Sequence, residues 1–470
     1  MNRIWNFSAF GSRPALTDDT GVTVRYNELA ELQDQLAGIG PGELTMMLCE
    51  NSIGALAGYA ALINSGHPML MVSSGMPEDM RRNIMNTYRP GMVFAPRLLQ
   101  KHYSNMQELR TIDDYVLLKT NYSEQYSVFP ELGQLLTTSG STGSVKFVRQ
   151  SRSNILINAM NYAVDLGITE TERTVTSLPL HYTYALTNYS ASLLTGAVMV
   201  VTRLGIMDEE FWDLFENERV TAFHNVSAAY DMLCRMEIFS GDFPHLRLMT
   251  QAGSKLSREL HRYYARYAEK YGKRFIPMYG QCEATSGITY LPADRAPEKI
   301  GSVGIVVPGG EIELTYADGN PVEEAHVSGE LVYRGKNVAL GYASCGEDLI
   351  RGDDWNGVLR TGDLAERDED GFLYITGRLR RFIKVSGHRI SLDEIDERIM
   401  DDLHIRAVCS GTDDNLVIFV LSDRDKSAVY EYVCRKISVV RPVFRVQTIE
   451  AFPVNEAGKI LYSSLAELTE

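Results

Sequence analysis

Across the first 280 residues, short apolar runs alternate with segments of helical period, and this alternation constrains the fold more than any other feature of the chain. LTMMLC (44–49), HPMLMV (67–72), YVLL (115–118), AVMVVT (197–202), TAFHNV (221–226) and FIPMYG (275–280) read as strands. YNELAELQDQLAGIG (26–40) has the spacing of an amphipathic helix, and SIGALAGYAALINSG (52–66) reads as a buried helix ending at glycine. Such a rhythm implies an α/β body of βα units stacked on mainly parallel sheets. After about Gly301 the texture becomes short alternating strands with Asp-Gly and Asn-Gly turns, the mark of a β-rich subdomain. Beyond Arg380 helix and strand patterns mix again, with SLDEIDERIMDD as a helix capped by Ser391. The expected division is a large domain over 1–379 and a small mobile α+β domain over 380–470.

At 470 residues the chain is too long for one ordinary core. Its 44% hydrophobic and 23% charged residues describe a globular protein rather than a disordered one. A net charge of -15 disfavours a nucleic-acid partner, because phosphate backbones attract basic faces. The six cysteines are scattered, without a C-x-x-C pair or metal-ligand spacing, and read as reduced thiols of a cytoplasmic protein. No signal peptide and no membrane span is expected, since the apolar stretch 55–72 is broken by Gly58, Asn64, Ser65, Gly66, His67 and Pro68.

TTSGSTGSVKFV (137–148) concentrates hydroxyl residues and glycines ahead of a lysine. Backbone N–H groups of such a loop can turn inward as a nest for phosphate, and a flexible Ser/Thr/Gly loop is the alternative. The nucleotide P-loop is excluded, because Ser144 and Val145 separate Gly143 from Lys146 and Phe147 follows the lysine. The dinucleotide fingerprint G-x-G-x-x-G is also absent from the loop.

TSGSTGSVK, MYGQCEA (278–284), GELVYRG (329–335), RTGD (360–363), GRLRRFIKVSGHRI (377–390) and PVNEAGKI (453–460) occur in that order. Together they resemble the adenylate-forming superfamily of acyl-CoA synthetases, nonribosomal peptide synthetase adenylation domains and luciferases, closest to acyl-CoA ligase-like members. The resemblance implies an enzyme that uses ATP and Mg2+ to convert a small-molecule carboxylic acid to an acyl-adenylate with release of pyrophosphate. A thiol, of coenzyme A or of the phosphopantetheine arm of an acyl carrier protein, then displaces AMP to give a thioester.

By the same resemblance, Thr138, Ser139, Gly140, Ser141, Thr142 and Gly143 cradle phosphates, with Lys146 adding charge. Tyr279 falls on the aromatic that stacks on adenine, and Glu283 on the carboxylate that holds magnesium. Cys282 departs from the family's threonine, whose hydroxyl donates to the α-phosphate more strongly than a thiol does. Asp363 and Arg378 match the groups that grip the ribose, and Lys459 matches the cation inserted during adenylation. Val145 replaces a usual proline, and Arg380 replaces the aspartate or lysine of the hinge.

Arg380, Arg381, Lys384, His388 and Arg389 form a basic cluster in an acidic chain, either a solvated face or an attractor for the phosphates of coenzyme A or an acidic carrier protein. Lys384, Gly387 and Arg389 are the candidate thiol-side residues, Gly387 for close passage of the pantetheine arm. On the acid side stand Tyr182 and Tyr184 in LPLHYTYALTN and Gly253 and Ser254 in QAGSKL. Amino-acid-activating relatives place an aspartate in the first segment, and none lies between Leu178 and Asn188, which favours an acid without an α-amine. An inactive nucleotide-binding paralogue is the reading from a different class, prompted by Val145, Cys282 and Arg380.

Overall fold

The computed structural model describes the chain except residues 1–2, 41, 138–145, 380, 386–387, 414, 438–443, 456–458 and 470. The apolar runs pair into two large sheets. One has nine strands, ordered Ile305–Val306, Ser286–Tyr290, Arg274–Gln281, Leu248–Ala252, Ala222–Val226, Arg173–Val175, Val198–Val201, Pro14–Asp18 and Thr23–Arg25. Its interior ladders are parallel, and its edges close with antiparallel hairpins.

The second sheet has eight strands, ordered Gly341–Ala343, Phe147–Ser151, Leu132–Thr137, Met69–Ser73, Thr45–Cys49, Met92–Pro96, Tyr115–Lys119 and Gln107–Ile112. The sequence rhythm suggests mainly parallel pairing, yet this sheet is mixed: Thr45–Cys49 pairs in parallel with both neighbours, and the flanks are antiparallel. The reason is connection length. The segment joining Leu132–Thr137 to Phe147–Ser151 is too short for a helical crossover, so the two strands pair antiparallel.

The helix Ile53–Asn64 lies between the sheets and is buried on every side, which explains its apolar composition all round. Ser52 caps it by accepting from the Ala55 N–H at 3.3 Å. Gly58 permits the close approach, because a Cβ there would meet the Phe94 ring at 2.1 Å.

Downstream, Glu311–Thr315, Gly329–Arg334, Val358–Arg367 and Leu373–Arg378 form a four-stranded antiparallel sheet. The C-terminal part has its own core around Ile395, Ile399, Ile418 and Val429. It comprises the hairpin Phe382–Val385/His388–Ser391, the helix Leu392–Leu403 and the sheet Val408–Thr412, Asn415–Val420, Phe444–Thr448. Ser391 accepts from the Glu394 N–H at 3.2 Å, the cap expected from sequence. Lys255 ties the two bodies, donating to Glu397 at 2.7 Å and to the Ile375 carbonyl at 3.0 Å. Among the described residues no helix is long and apolar enough to cross a membrane.

Candidate active site

Between the large body and the small one runs a cleft of about 1840 Å³, lined from both sides. Asp363 and Arg378 enter it as direct register partners of one antiparallel ladder. The Arg378 Nε lies 3.0 Å from Asp363 Oδ1, and the Tyr279 hydroxyl donates to Oδ2 at 2.6 Å. Burial pushes the Asp363 carboxyl above the usual carboxylate range, against the opposing pull of Arg378 and the Tyr279 hydroxyl. The Arg378 N–H also donates to Asp393 at 3.0 Å, so this corner is held by both bodies.

Tyr279 belongs to the strand Arg274–Gln281, which turns through Cys282–Ala284 into Ser286–Tyr290. The turn is tight enough that Thr285 and Ser286 take φ of 52° and 104°, uncommon for residues with a Cβ. Glu283 projects from it, and its Oε1 accepts from the Tyr342 hydroxyl at 2.8 Å. The Lys146 ammonium stands 3.4 Å from the centroid of the same Tyr342 ring, which places a cation over the ring and a carboxylate at the hydroxyl of one tyrosine. Cys282 is held from behind by Gln150, whose Nε2 donates to its carbonyl at 2.8 Å and lies 3.6 Å from Sγ. Burial and then the Glu283 charge push the Cys282 thiol far up, so it is neutral.

Lys459 reaches the same place from the C-terminal body. Asn455 braces its backbone: Oδ1 accepts the Lys459 N–H, and the Asn455 N–H donates to the Lys459 carbonyl, both at 2.9 Å. The ammonium lies 5.7 Å from the Tyr182 ring centroid. Burial, then the nearby Arg378 charge, lowers the Lys459 pKa, while Cys282, Glu283 and Asp363 act to raise it. Gly253, at φ 93°, makes the room: a Cβ there would sit 2.9 Å from the Tyr182 hydroxyl and 3.7 Å from Lys459 Cε.

Tyr182 precedes the helix Thr183–Thr195 and lines the cleft with Thr183 and Tyr184. The Tyr184 hydroxyl bonds Thr250 Oγ1, which also lies 2.7 Å from His224 Nδ1. Burial pushes His224 down to about 3, so a neutral imidazole joins this polar floor. The Ser254 carbonyl accepts from Ser227 Oγ at 2.7 Å and Gln251 Nε2 at 2.8 Å, which fixes the loop after the strand Leu248–Ala252.

The structure therefore brings Tyr279, Cys282, Glu283, Asp363, Arg378 and Lys459 to one cleft with Tyr182, Tyr184, Gly253 and Ser254. Thr138, Ser139, Gly140, Ser141, Thr142, Gly143, Val145, Arg380 and Gly387 lie outside the described residues. The residues on either side of the first segment are described: Thr137 lines the cleft, and Lys146 stands over Tyr342. Lys384 and Arg389 are register partners in a hairpin of the small body. Arg381 is committed to structure, lying 3.1 Å from Asp396, donating to the Cys409 carbonyl at 2.7 Å and stacking 3.9 Å from the Tyr462 centroid.

Sequence reasoning missed Tyr342, Gln150, Thr250 and His224. Tyr342 arrives because Gly341–Ala343 pairs with Phe147–Ser151, a long-range contact with no local signature. His224 and Thr250 are register partners whose ordinary strand settings hide their shared hydrogen bond.

Residues 5–343 match the family model described as AMP-binding enzyme, and the chain belongs to that family. Among its relatives is a probable CoA ligase of Humulus lupulus, 23% identical over 510 residues, spanning 96% of this chain and 89% of that protein. A 2-succinylbenzoate–CoA ligase of Bacillus pumilus is 25% identical over 396 residues, 83% of this chain and 79% of the relative. The fold matches o-succinylbenzoate CoA synthetase from Bacillus subtilis, solved with its acyl-adenylate intermediate: TM-score 0.80, 21% identity, 99% of this chain and 98% of the other.

Proposed function

We propose that this chain is an AMP-forming acid–thiol ligase, which activates a carboxylic acid with ATP and passes the acyl group to coenzyme A. The observation that carries this reading is the ammonium of Lys459, on a half-buried side chain set in the cleft with Glu283, Asp363 and Arg378. In adenylation a substrate carboxylate oxygen bonds to the α-phosphorus as the bond to pyrophosphate breaks. Charge shifts among the phosphate oxygens, and a preplaced ammonium in a low-dielectric site stabilises that shift. Asp363, oriented by Arg378 and Tyr279, accepts ribose hydroxyls, while the Tyr279 ring lies against the base. Lys146 supplies charge to the outer phosphates, and the motif resemblance assigns Thr138–Gly143 to the same ligand.

Glu283 fits a magnesium site: one carboxylate at the cleft, with one oxygen oriented by Tyr342, suits an ion whose remaining ligands are phosphate oxygens and water. When bound, the ion supplies charge neutralisation to the phosphates. Tyr182, Tyr184, Gly253 and Ser254 border the acid, and the absence of an aspartate between Leu178 and Asn188 supports an acid without an α-amine.

For the second half-reaction, the small domain, taken as 380–470 against 1–379, rotates about the region of Arg380 and brings Lys384, Gly387 and Arg389 toward the thiol. A cytoplasmic setting agrees with six cysteines that are all free thiols. ATP–pyrophosphate exchange against a panel of aromatic, aliphatic and amino acids tests the reading. Exchange with non-amino acids is expected; exchange with no acid would leave only an inactive nucleotide-binding role.

A further inference from the structure

Between Lys255 and Arg274 this acidic chain carries seven lysines and arginines against two glutamates. Four of those seven cations, and both glutamates, belong to the helix Arg258–Lys270, on which Arg258, Arg262 and Arg266 recur every four residues and are exposed. Among the described residues none of these three arginines has an ion-pair partner, in a protein whose other arginines are widely paired. The opposite face of the helix, with Tyr264, Ala265 and Ala268, is buried in the core, so the stripe looks outward.

The neighbouring helix Ser227–Arg235 adds an apolar element. Met232 and Met236 are 39% and 40% exposed, and Arg235 beside them pairs with Asp231, one turn earlier. The two helices meet at Cys234, whose thiol feels Asp231 and Glu259. The His404 Nδ1 lies 3.6 Å from a Glu259 carboxylate oxygen. Arg235, Arg258 and Tyr263 also line the cleft that holds Lys459, so this face is continuous with the candidate active site.

We propose that this face docks an acidic carrier protein, and that the chain acylates the phosphopantetheine thiol presented there as well as free coenzyme A. The proposal rests on the adenylation reading above. Exposed methionines on one helix and unpaired arginines on the helix packed against it suit an acidic amphipathic helix: the thioethers adapt to its apolar side chains, and the guanidiniums meet its carboxylates. Coenzyme A offers the same thiol but no helix to cover the methionines. In the transfer the carrier sulfur forms a C–S bond to the acyl carbon, the acyl C–O bond to AMP breaks, AMP leaves with the electron pair, and the thiol proton passes to solvent.

The test uses the full-length protein, a panel of purified holo acyl carrier proteins of net negative charge, and coenzyme A. Carrier binding is read by fluorescence anisotropy without acid or ATP, and acyl transfer by mass spectrometry in single turnover. Arg262→Glu combined with Arg266→Glu, and separately Met232→Glu, should weaken carrier binding and loading roughly tenfold or more, with strong salt dependence in the parent protein. ATP–pyrophosphate exchange and coenzyme A acylation should stay within about twofold, as expected for sites outside the catalytic cleft. Absence of binding across the panel overturns the proposal. So does equal loss with carrier and coenzyme A, which would make the face a site for the coenzyme's own phosphates. If exchange is present and only the carrier arm fails, the adenylation reading stands alone; if exchange itself is absent, both fall.

Discussion

Asp363 and Arg378 face each other across a single antiparallel ladder, with the guanidinium Nε 3.0 Å from Oδ1 and the Tyr279 hydroxyl on the other carboxylate oxygen. The arginine also touches the small body through Asp393, so the group proposed to hold the ribose sits where the two bodies meet. Because burial raises the Asp363 pKa in the fold, its ionisation costs stability as pH rises through its titration. Asp363→Asn should therefore keep or raise the ligand-free melting temperature at neutral pH while weakening ATP binding. The loss should be about 10- to 100-fold, the worth of roughly 1.5–3 kcal/mol for hydrogen bonds to a charged group. Calorimetry and differential scanning fluorimetry on one preparation check both halves.

Lys459→Ala should slow acyl-adenylate formation by a factor on the order of 100 to 1000, yet leave thioester formation from supplied acyl-adenylate nearly intact. Rapid-quench assays of each half-reaction measure this. Equal slowing of both steps would contradict the assignment.

The role proposed for Lys459 needs its protonated form, and burial together with Arg378 lowers its pKa. Adenylation should consequently decline with rising pH earlier than an ordinary lysine would dictate. Lys459→Arg, which stays charged, should extend the alkaline plateau even if its maximal rate is lower. A pH–rate profile of the exchange reaction, parent against variant, reveals the difference.

Tyr342→Phe removes the hydroxyl that orients Glu283 at 2.8 Å but keeps the ring beneath Lys146. The magnesium concentration needed for half-maximal exchange should rise several-fold, as expected for loss of one hydrogen bond of about 1 kcal/mol. Thermal stability should hardly change. Titration of exchange activity with magnesium chloride decides it.

Cys282→Thr restores a hydroxyl where the neutral thiol is a weak donor. Adenylation should accelerate by a few-fold, again the worth of about 1 kcal/mol. An unchanged or lower rate in a folded variant would show that the Sγ position makes no contact with the transferring phosphate.

Gly280→Ala tests the hairpin that carries Tyr279 and Glu283. A Cβ there would meet the Ser286 carbonyl oxygen at 1.5 Å, so the hairpin must open. A loss of more than about 2 kcal/mol in denaturant unfolding is expected, the range of a severe backbone clash.

The order of motifs along the chain was enough to identify the class of chemistry, and local periodicity was enough to place most strands and helices. Both are short-range properties: a strand alternates or a helix repeats within a dozen residues, and Ser52 and Ser391 cap their helices through N–H groups three positions on. Sheet register and the site's supporting residues are different in kind. The return of Phe147–Ser151 antiparallel to Leu132–Thr137 and the arrival of Gly341–Ala343 beside it depend on which distant edges remain unpaired, and only that pairing puts Tyr342 against Glu283 and Lys146. Likewise His224 and Thr250 became a polar floor because parallel neighbours carry their side chains to one face. Sequence alone named the candidate charged groups, Glu283, Asp363, Arg378 and Lys459, all of which line one cleft. Tertiary structure decided their convergence on one cleft, the opposite pKa displacements of Asp363 and Lys459, and the exposure of the arginine stripe, because desolvation and proximity are properties of packed surfaces that no local segment encodes.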